Sequence, residues 1–274
     1  MALGRKNIFG SDRGMVEDNA ILRLKNLSKK FGGLWAVSEF SLTLAQGELK
    51  GLIGPNGAGK STVFNLISGL YRPSGGQVFH QGEKITGLKP DKVVKRGIAR
   101  TFQSVKLLGN KTVMQVMMTA FFLFYDYNLF DAVLQTRRYR NQEKAFEEKA
   151  IEYLSLLGVE HLKDQTGGEL SYGLQRKVSI ARALCLNPRI LLLDEPMAGL
   201  NQQEKQDLIQ VIRRLKNRFA LSIILVEHDM KVIMNLCENV AVMNQGVLTA
   251  EGTTEQIRQN PRVIEAYLGA TAHA

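Results

Sequence analysis

Cysteine is scarce in this chain, with two in 274 residues. Cys185 and Cys237 stand in apolar-periodic stretches without metal-ligand spacing. They predict small core residues in a reducing compartment, and they exclude a disulfide scaffold. Long apolar runs are also missing. The most apolar stretch, residues 116–125, is about half the length of a membrane span and ends at Asp126. No charged segment followed by an apolar run opens the sequence, so a soluble cytoplasmic protein is expected. Internal repeats and low-complexity tracts are absent. Acidic residues are the minority charge: 26 Asp and Glu against 36 Lys and Arg give +10. That balance points to an anionic partner: a nucleotide, a nucleic acid or a membrane surface.

What is present is an ordinary globular composition, 45% apolar and 23% charged, which excludes a disordered or collagen-like chain. The length suits one large domain, or a domain with an inserted subdomain. Residues 1–19 lack periodicity and read as a flexible tail, so the domain is expected over 20–270. Alternating or continuous apolar runs predict strands at 21–24, 40–44, 49–53 and 77–80. Between about 104 and 170 strand alternation disappears and helical spacing takes over, which predicts an inserted helical subdomain. The second half returns to α/β character. It predicts helices from about 175 and 203, strands at 190–193, 223–226, 240–243 and 247–249, and a last helix over 254–268.

The segment Gly54-Pro55-Asn56-Gly57-Ala58-Gly59-Lys60-Ser61, followed by Thr62, fits G-x-x-x-x-G-K-[ST] between a predicted strand and a predicted helix. Its glycines let successive backbone N–H groups turn toward phosphate oxygens, and the helix N-terminus adds its positive end. Lys60 then reaches the β and γ phosphates of ATP, and the Ser61 hydroxyl ligates Mg²⁺. A second buried strand, Ile190-Leu191-Leu192-Leu193, ends in Asp194 and Glu195. Asp194 suits the metal, and Glu195 suits orienting and polarising the attacking water. Between them, Leu170-Ser171-Tyr172-Gly173-Leu174-Gln175-Arg176 opens a helical run. Taken alone this is an ordinary serine cap, though hydroxyl, bare amides and dipole also make an anion site.

With these three motifs the sequence resembles the ATP-binding cassette (ABC) ATPases from residue 21 to residue 268. The resemblance implies an α/β P-loop NTPase fold: a RecA-like core, an antiparallel β subdomain and the inserted helical subdomain. It implies that Phe31 stacks on adenine, that Gln103 touches Mg²⁺, and that His228 is the switch histidine at the γ-phosphate. It makes Ser171, Tyr172, Gly173 and Gln175 the signature that meets ATP bound by an opposite subunit. Ala198, Gly199, Leu200 and Asn201 become the loop crossing that interface. Tyr172, Leu174 and Asn201 depart from the commonest family pattern and resemble the ATPases of branched-chain amino-acid importers. The implied partners are a second cassette, identical or different, transmembrane permease subunits and a periplasmic solute-binding protein. The implied location is the cytoplasmic side of the cell membrane.

Lipid or lipopolysaccharide export is the alternative within transport. A nucleic-acid ATPase is the alternative outside it, and +10 is its argument. One cassette, no long heptad arms and two isolated cysteines argue against that reading, so no nucleic-acid partner is expected. Between 84 and 111 eight basic residues (Lys84, Lys89, Lys92, Lys95, Arg96, Arg100, Lys106, Lys111) face one acid, Asp91. They read as a solvated face or as a surface for anionic headgroups. Phe121, Phe122, Phe124, Tyr125, Tyr127 and Phe130 crowd six aromatics into ten positions. Three of them suit a core stripe, which leaves Phe122, Tyr127 and Phe130 for a permease contact. His80, His161 and His273 read as structural.

Overall fold

The computed structural model describes residues 19–101, 109–261 and 263. The expected tail up to residue 18, Gln103, Lys106 and His273 lie outside the described residues.

Among the described residues two sheets form the body. The chain first supplies β1 (Ala20–Phe31), β2 (Leu34–Ala45) and β3 (Leu49–Ile53), and α1 (Lys60–Ile67) follows. Both long strands exceed their expected spans. Register shifts interrupt their pairing, and Asn26 and Glu39 sit at positive φ, so strict alternation breaks within each strand. Next come β4 (Gly75–His80), β5 (Glu83–Lys84), α2 (Pro90–Lys95) and β6 (Ile98–Arg100). Helices α3 (Val113–Thr119), α4 (Leu129–Val133) and α5 (Arg137–Leu156) occupy the middle of the chain. The second half runs through α6 (Tyr172–Leu184), β7 (Ile190–Asp194), α7 (Gln202–Phe219), β8 (Ser222–Val226) and α8 (Met230–Leu236). It closes with β9 (Asn239–Asn244), β10 (Val247–Thr253) and α9 (Thr254–Arg258). The expected final helix over 254–268 is interrupted after Arg258 and is helical again at Pro261 and Val263, and residues from 264 on lie outside the described residues. Asn260 precedes Pro261, and a residue before proline is pushed out of the α region.

The antiparallel sheet has the order β2-β1-β4-β5 and the larger sheet β10-β9-β3-β8-β7-β6. In the larger sheet, among the described residues, only β10 runs antiparallel to its neighbour. Strands β3, β7 and β8 are buried at every position, which accounts for their unbroken apolar sequences. Alternate residues of one strand serve two cores. Ile190 and Leu192 pack toward α1 and the antiparallel sheet, while Leu191 and Leu193 pack with α6, α7 and the helical stretch. Val116, Met117, Ala120 and Phe121 join that second core, with the Phe121 ring stacked on Phe146 at 4.4 Å. Both cysteines are buried free thiols, and burial raises the Cys185 thiol to about 12. Among the described residues no helix is long and apolar enough to cross a membrane.

Candidate nucleotide site

Because β3, β8 and β7 are neighbours, their carboxyl ends deliver three segments to one crevice: residues 54–60, Asp194-Glu195 and Glu227-His228. An open α/β sheet places its ligands at such an end. The turn out of β3 needs Gly54, where a Cβ would lie 2.1 Å from the Met243 carbonyl oxygen. Gly59 has φ 102° and a Cβ there would lie 2.3 Å from the Ala36 oxygen. Gly59 also offers no side-chain cap to α1, whose first turn holds no acid, so its leading N–H groups and dipole are left for an anion. Lys60 is buried and donates to the Gly54 oxygen at 2.6 Å and the Pro55 oxygen at 3.0 Å. Burial lowers its pKa, and the Glu195 and Asp194 carboxylates oppose that shift.

A cavity of about 730 Å³ opens over this loop, within the usual size range for small-molecule sites. Residues 56–62 form its floor, Glu195 one edge, and Gln245 and Gly246 another. Its remaining wall is Gly33, Leu34, Trp35 and Ala36. Phe31, expected against adenine, is not part of that wall. Its half-exposed ring meets Tyr71 edge-on at 5.3 Å, with the Lys29 ammonium 5.0 Å away. The aromatic that does line the cavity is Trp35, which sequence reasoning passed over. Its signal was available: it is the sole tryptophan and follows a Gly-Gly turn.

Asp194 ends β7 and is buried; its carboxylate accepts from Arg100 at 2.7 Å. Glu195 adopts φ 47°, a left-handed conformation that is uncommon away from glycine. Its N–H donates to the Val226 oxygen at 2.9 Å, and its Oε1 lies 2.6 Å from His228 Nε2. The expected water-activating acid and switch histidine therefore touch. Glu227, between β8 and His228, was not anticipated. It is buried and accepts from the Met197 N–H at 2.7 Å, holding the segment after Glu195 against β8. Burial raises its carboxyl pKa and the nearby Glu195 adds to that, while N–H groups of Met197 and His228 work against it.

The donor set fits Mg²⁺. Ser61 and Asp194 offer hard oxygens, and among the described residues no three His, Cys, Asp or Glu converge as a caging site would require. Mg²⁺ usually takes one or two protein oxygens plus phosphates and water. Gln103 falls outside the described residues.

The signature lies elsewhere. Ser171 caps α6 by accepting from Leu174 N–H at 3.5 Å, so the helix starts about three residues before its expected position. Gln175 donates to the Leu170 oxygen at 2.9 Å, steadying that turn. The Tyr172 hydroxyl accepts from Arg176 at 2.8 Å, and its ring lies against Gly199. Gly173 is close-packed: a Cβ would lie 2.9 Å from Glu204 Oε1. Ala198, Gly199 and Leu200 lead to Asn201, which caps α7 through a reciprocal pair with Glu204 at 3.0 and 2.9 Å. Among the described residues, none from α6 or from 198–201 lines the nucleotide cavity.

The basic stretch divides. Lys84, Lys89, Lys92, Lys95, Arg96 and Lys111 are exposed. Arg100 departs from the expected surface role: its side chain is 8% exposed and is engaged with Asp194. Edge strand β6 is too short to be recognised in sequence, and it carries Arg100 inward. Phe122 and Phe130 are 65% and 78% exposed, whereas the Tyr127 hydroxyl donates to Glu143 at 2.8 Å. His80 is buried within β4.

The comparisons with known proteins agree with this geometry. The family model described as "ABC transporter" matches residues 37–198, and one described as "Branched-chain amino acid ATP-binding cassette transporter" matches residues 250–273. The chain is 41% identical over 249 residues to the high-affinity branched-chain amino acid transport ATP-binding protein BraF of Pseudomonas aeruginosa, covering 91% of this chain and 98% of BraF. Identity to LivG of Escherichia coli K12, of the same description, is 40% with the same coverage. The lipopolysaccharide export ATP-binding protein LptB of Haemophilus influenzae is 34% identical, covering 91% and 98%. Among solved structures, the ADP conformation of MJ1267, an ATP-binding cassette of an ABC transporter, superposes with TM-score 0.79 at 31% identity, covering 91% and 99%. A dimeric post-hydrolysis state of the cassette MJ0796 with ADP and Pi gives 0.72 at 27%, covering 85% and 98%. Phosphate loop, strand-end acids, signature helix and these likenesses converge: the chain belongs to the ABC transporter family and is one of its ATP-hydrolysing subunits.

Proposed function

We propose that this subunit powers import of branched-chain or related amino acids through separate permease subunits. The signature Leu170-Ser171-Tyr172-Gly173-Leu174-Gln175, the similarity to BraF and LivG, and the match over 250–273 support that substrate class. The permeases would hold it on the cytoplasmic face of the membrane, and a periplasmic binding protein would deliver the solute. The similarity to LptB makes lipopolysaccharide export the second reading. Inactivating the gene in its own organism and following labelled leucine uptake tests the choice. Lost uptake with unchanged surface lipopolysaccharide supports import, and the reverse pattern refutes it.

One observation carries the mechanism: the cavity at Lys60 and Glu195 contains nothing from the capped α6. ATP on one subunit is therefore left open where a second subunit's Ser171, Tyr172, Gly173 and Gln175 would meet it. Two cassettes, head to tail, would bury two nucleotides, and Gly199 and Asn201 would lie at the seam. Lys60 would exchange the Gly54 and Pro55 oxygens for the β and γ phosphates. Ser61, Asp194 and Gln103 would hold Mg²⁺, which when bound supplies neutralisation of the phosphate charge. Glu195 would accept a hydrogen bond from water and draw off its proton as oxygen attacks the γ phosphorus and the bond to the bridging oxygen breaks. His228 would keep Glu195 oriented. Departure of phosphate removes charge from the seam and lets the pair reopen. ATP-dependent dimerisation, followed by light scattering with Glu195→Gln, tests the sandwich, and a chain that stays monomeric with its natural partner present argues against it.

A further inference from the structure

Arg100 has a specific setting beside the Asp194 carboxylate. It ends β6, which pairs with β7 so that Arg100 stands opposite Leu192, two residues before Asp194. Nη2 donates to Asp194 Oδ2 at 2.7 Å and Nη1 donates to Asn65 Oδ1 on α1 at 2.6 Å. The guanidinium carbon is 5.4 Å from the Phe64 ring centroid. The side chains of Arg100 and Asp194 are 8% and 6% exposed. The next residue, Thr101, accepts from the Asp194 N–H at 3.4 Å. Three elements of the nucleotide site thus meet at one planar group: the helix that begins at the phosphate loop, the strand that carries the acids, and edge strand β6.

A buried ion pair is weak evidence for stability, because desolvation consumes most of the attraction. What this pair does supply is orientation. A free aspartate carboxylate rotates broadly about its last torsion. A guanidinium held by Asn65 and resting against Phe64 donates to Asp194 Oδ2 from a set direction, so it orients the carboxylate for a metal's hydration shell. We propose that Arg100 is a positioning residue for the metal carboxylate. It couples the Asp194 plane to α1, so divalent-cation affinity depends on Arg100 and Asn65, although neither is a ligand. The inference rests on Asp194 being the metal carboxylate.

The test uses the full chain with ADP and with Mn²⁺ as the probe, read by electron paramagnetic resonance. Nucleotide affinity in EDTA and the melting temperature are measured beside it. Arg100→Lys keeps the charge and loses the fork, while Asn65→Ala removes only the anchor on α1. Partners that orient a ligand typically carry 10–100-fold in metal affinity. Arg100→Lys should weaken Mn²⁺ binding by about tenfold or more, and Asn65→Ala by less. Both should bind ADP in EDTA like the parent. Mn²⁺ affinity unchanged in both variants, while Asp194→Asn loses it, overturns the inference and leaves the metal reading intact. Parent-like Mn²⁺ binding by Asp194→Asn overturns both. If Arg100→Lys does not fold, Asn65→Ala decides: weaker Mn²⁺ binding with normal EDTA binding supports the proposal, and unchanged Mn²⁺ binding ends it.

Discussion

At φ 47°, with its carboxylate 2.6 Å from His228, Glu195 holds a conformation that glycine prefers and a group that glycine lacks. Glu195→Gly and Glu195→Ala therefore remove the same chemistry and differ in backbone strain. Left-handed geometry costs a non-glycine residue about 1–2 kcal/mol. Glycine gives back roughly 0.5–1 kcal/mol of this through the greater freedom of its unfolded chain. The pair with His228 is partly exposed and contributes about 0–1 kcal/mol, lost equally in both variants. The glycine variant should therefore be more stable than the alanine variant by about 0.5–1 kcal/mol. At this chain length that is a difference of about 1–4 °C in melting temperature. Turnover should fall by on the order of 10²–10⁴ in both, the usual range for a lost general base. Calorimetry and steady-state phosphate release on the two proteins, side by side, read both quantities. A glycine variant that melts at or below the alanine variant refutes the strain argument. Parent-like turnover in either removes Glu195 from the chemistry.

Ser171→Arg should leave ATP binding by the single subunit intact, since α6 lies outside the cavity, and should block the dimer trapped by Glu195→Gln. A normal yield of trapped dimer in gel filtration, with the natural partner cassette supplied, contradicts the sandwich. Trp35 is the sole tryptophan and lines the cavity, so ATP should change its fluorescence, and Lys60→Ala should abolish that response. Trp35→Ala should weaken ATP binding by about tenfold, within the ~1–3 kcal/mol of a base–aromatic contact. An unchanged affinity together with a silent parent signal would leave Phe31 as the base partner. Phe122→Ser and Phe130→Ser alter exposed rings, so melting should shift by no more than about 2 °C, as surface changes of about ±0.5 kcal/mol imply. Co-purification with the permease subunits should drop, and undiminished recovery rules out that contact.

The phosphate loop, the strand-end acids and the serine-capped signature were legible in sequence because each is continuous along the chain and its chemistry depends on nearest neighbours. Strands β3, β7 and β8 were legible for the same reason: a strand covered on both faces is written as an unbroken apolar run. Strand order is not written locally. It is the adjacency β3-β8-β7 that brings His228 onto Glu195 across 33 residues, and it is edge strand β6 that brings Arg100 onto Asp194 across 94. Composition counted Arg100 as surface charge, because a residue's burial depends on what the rest of the chain packs around it. Trp35 and Phe31 are separated by four positions, yet only one lines the cavity. The turn between β1 and β2, and the placement of that hairpin over the phosphate loop, decide which ring lines the cavity. Sequence by itself thus determined which chemical groups the protein owns. Tertiary structure decided which of them meet, because those meetings are made by sheet pairing and burial between segments far apart in the chain.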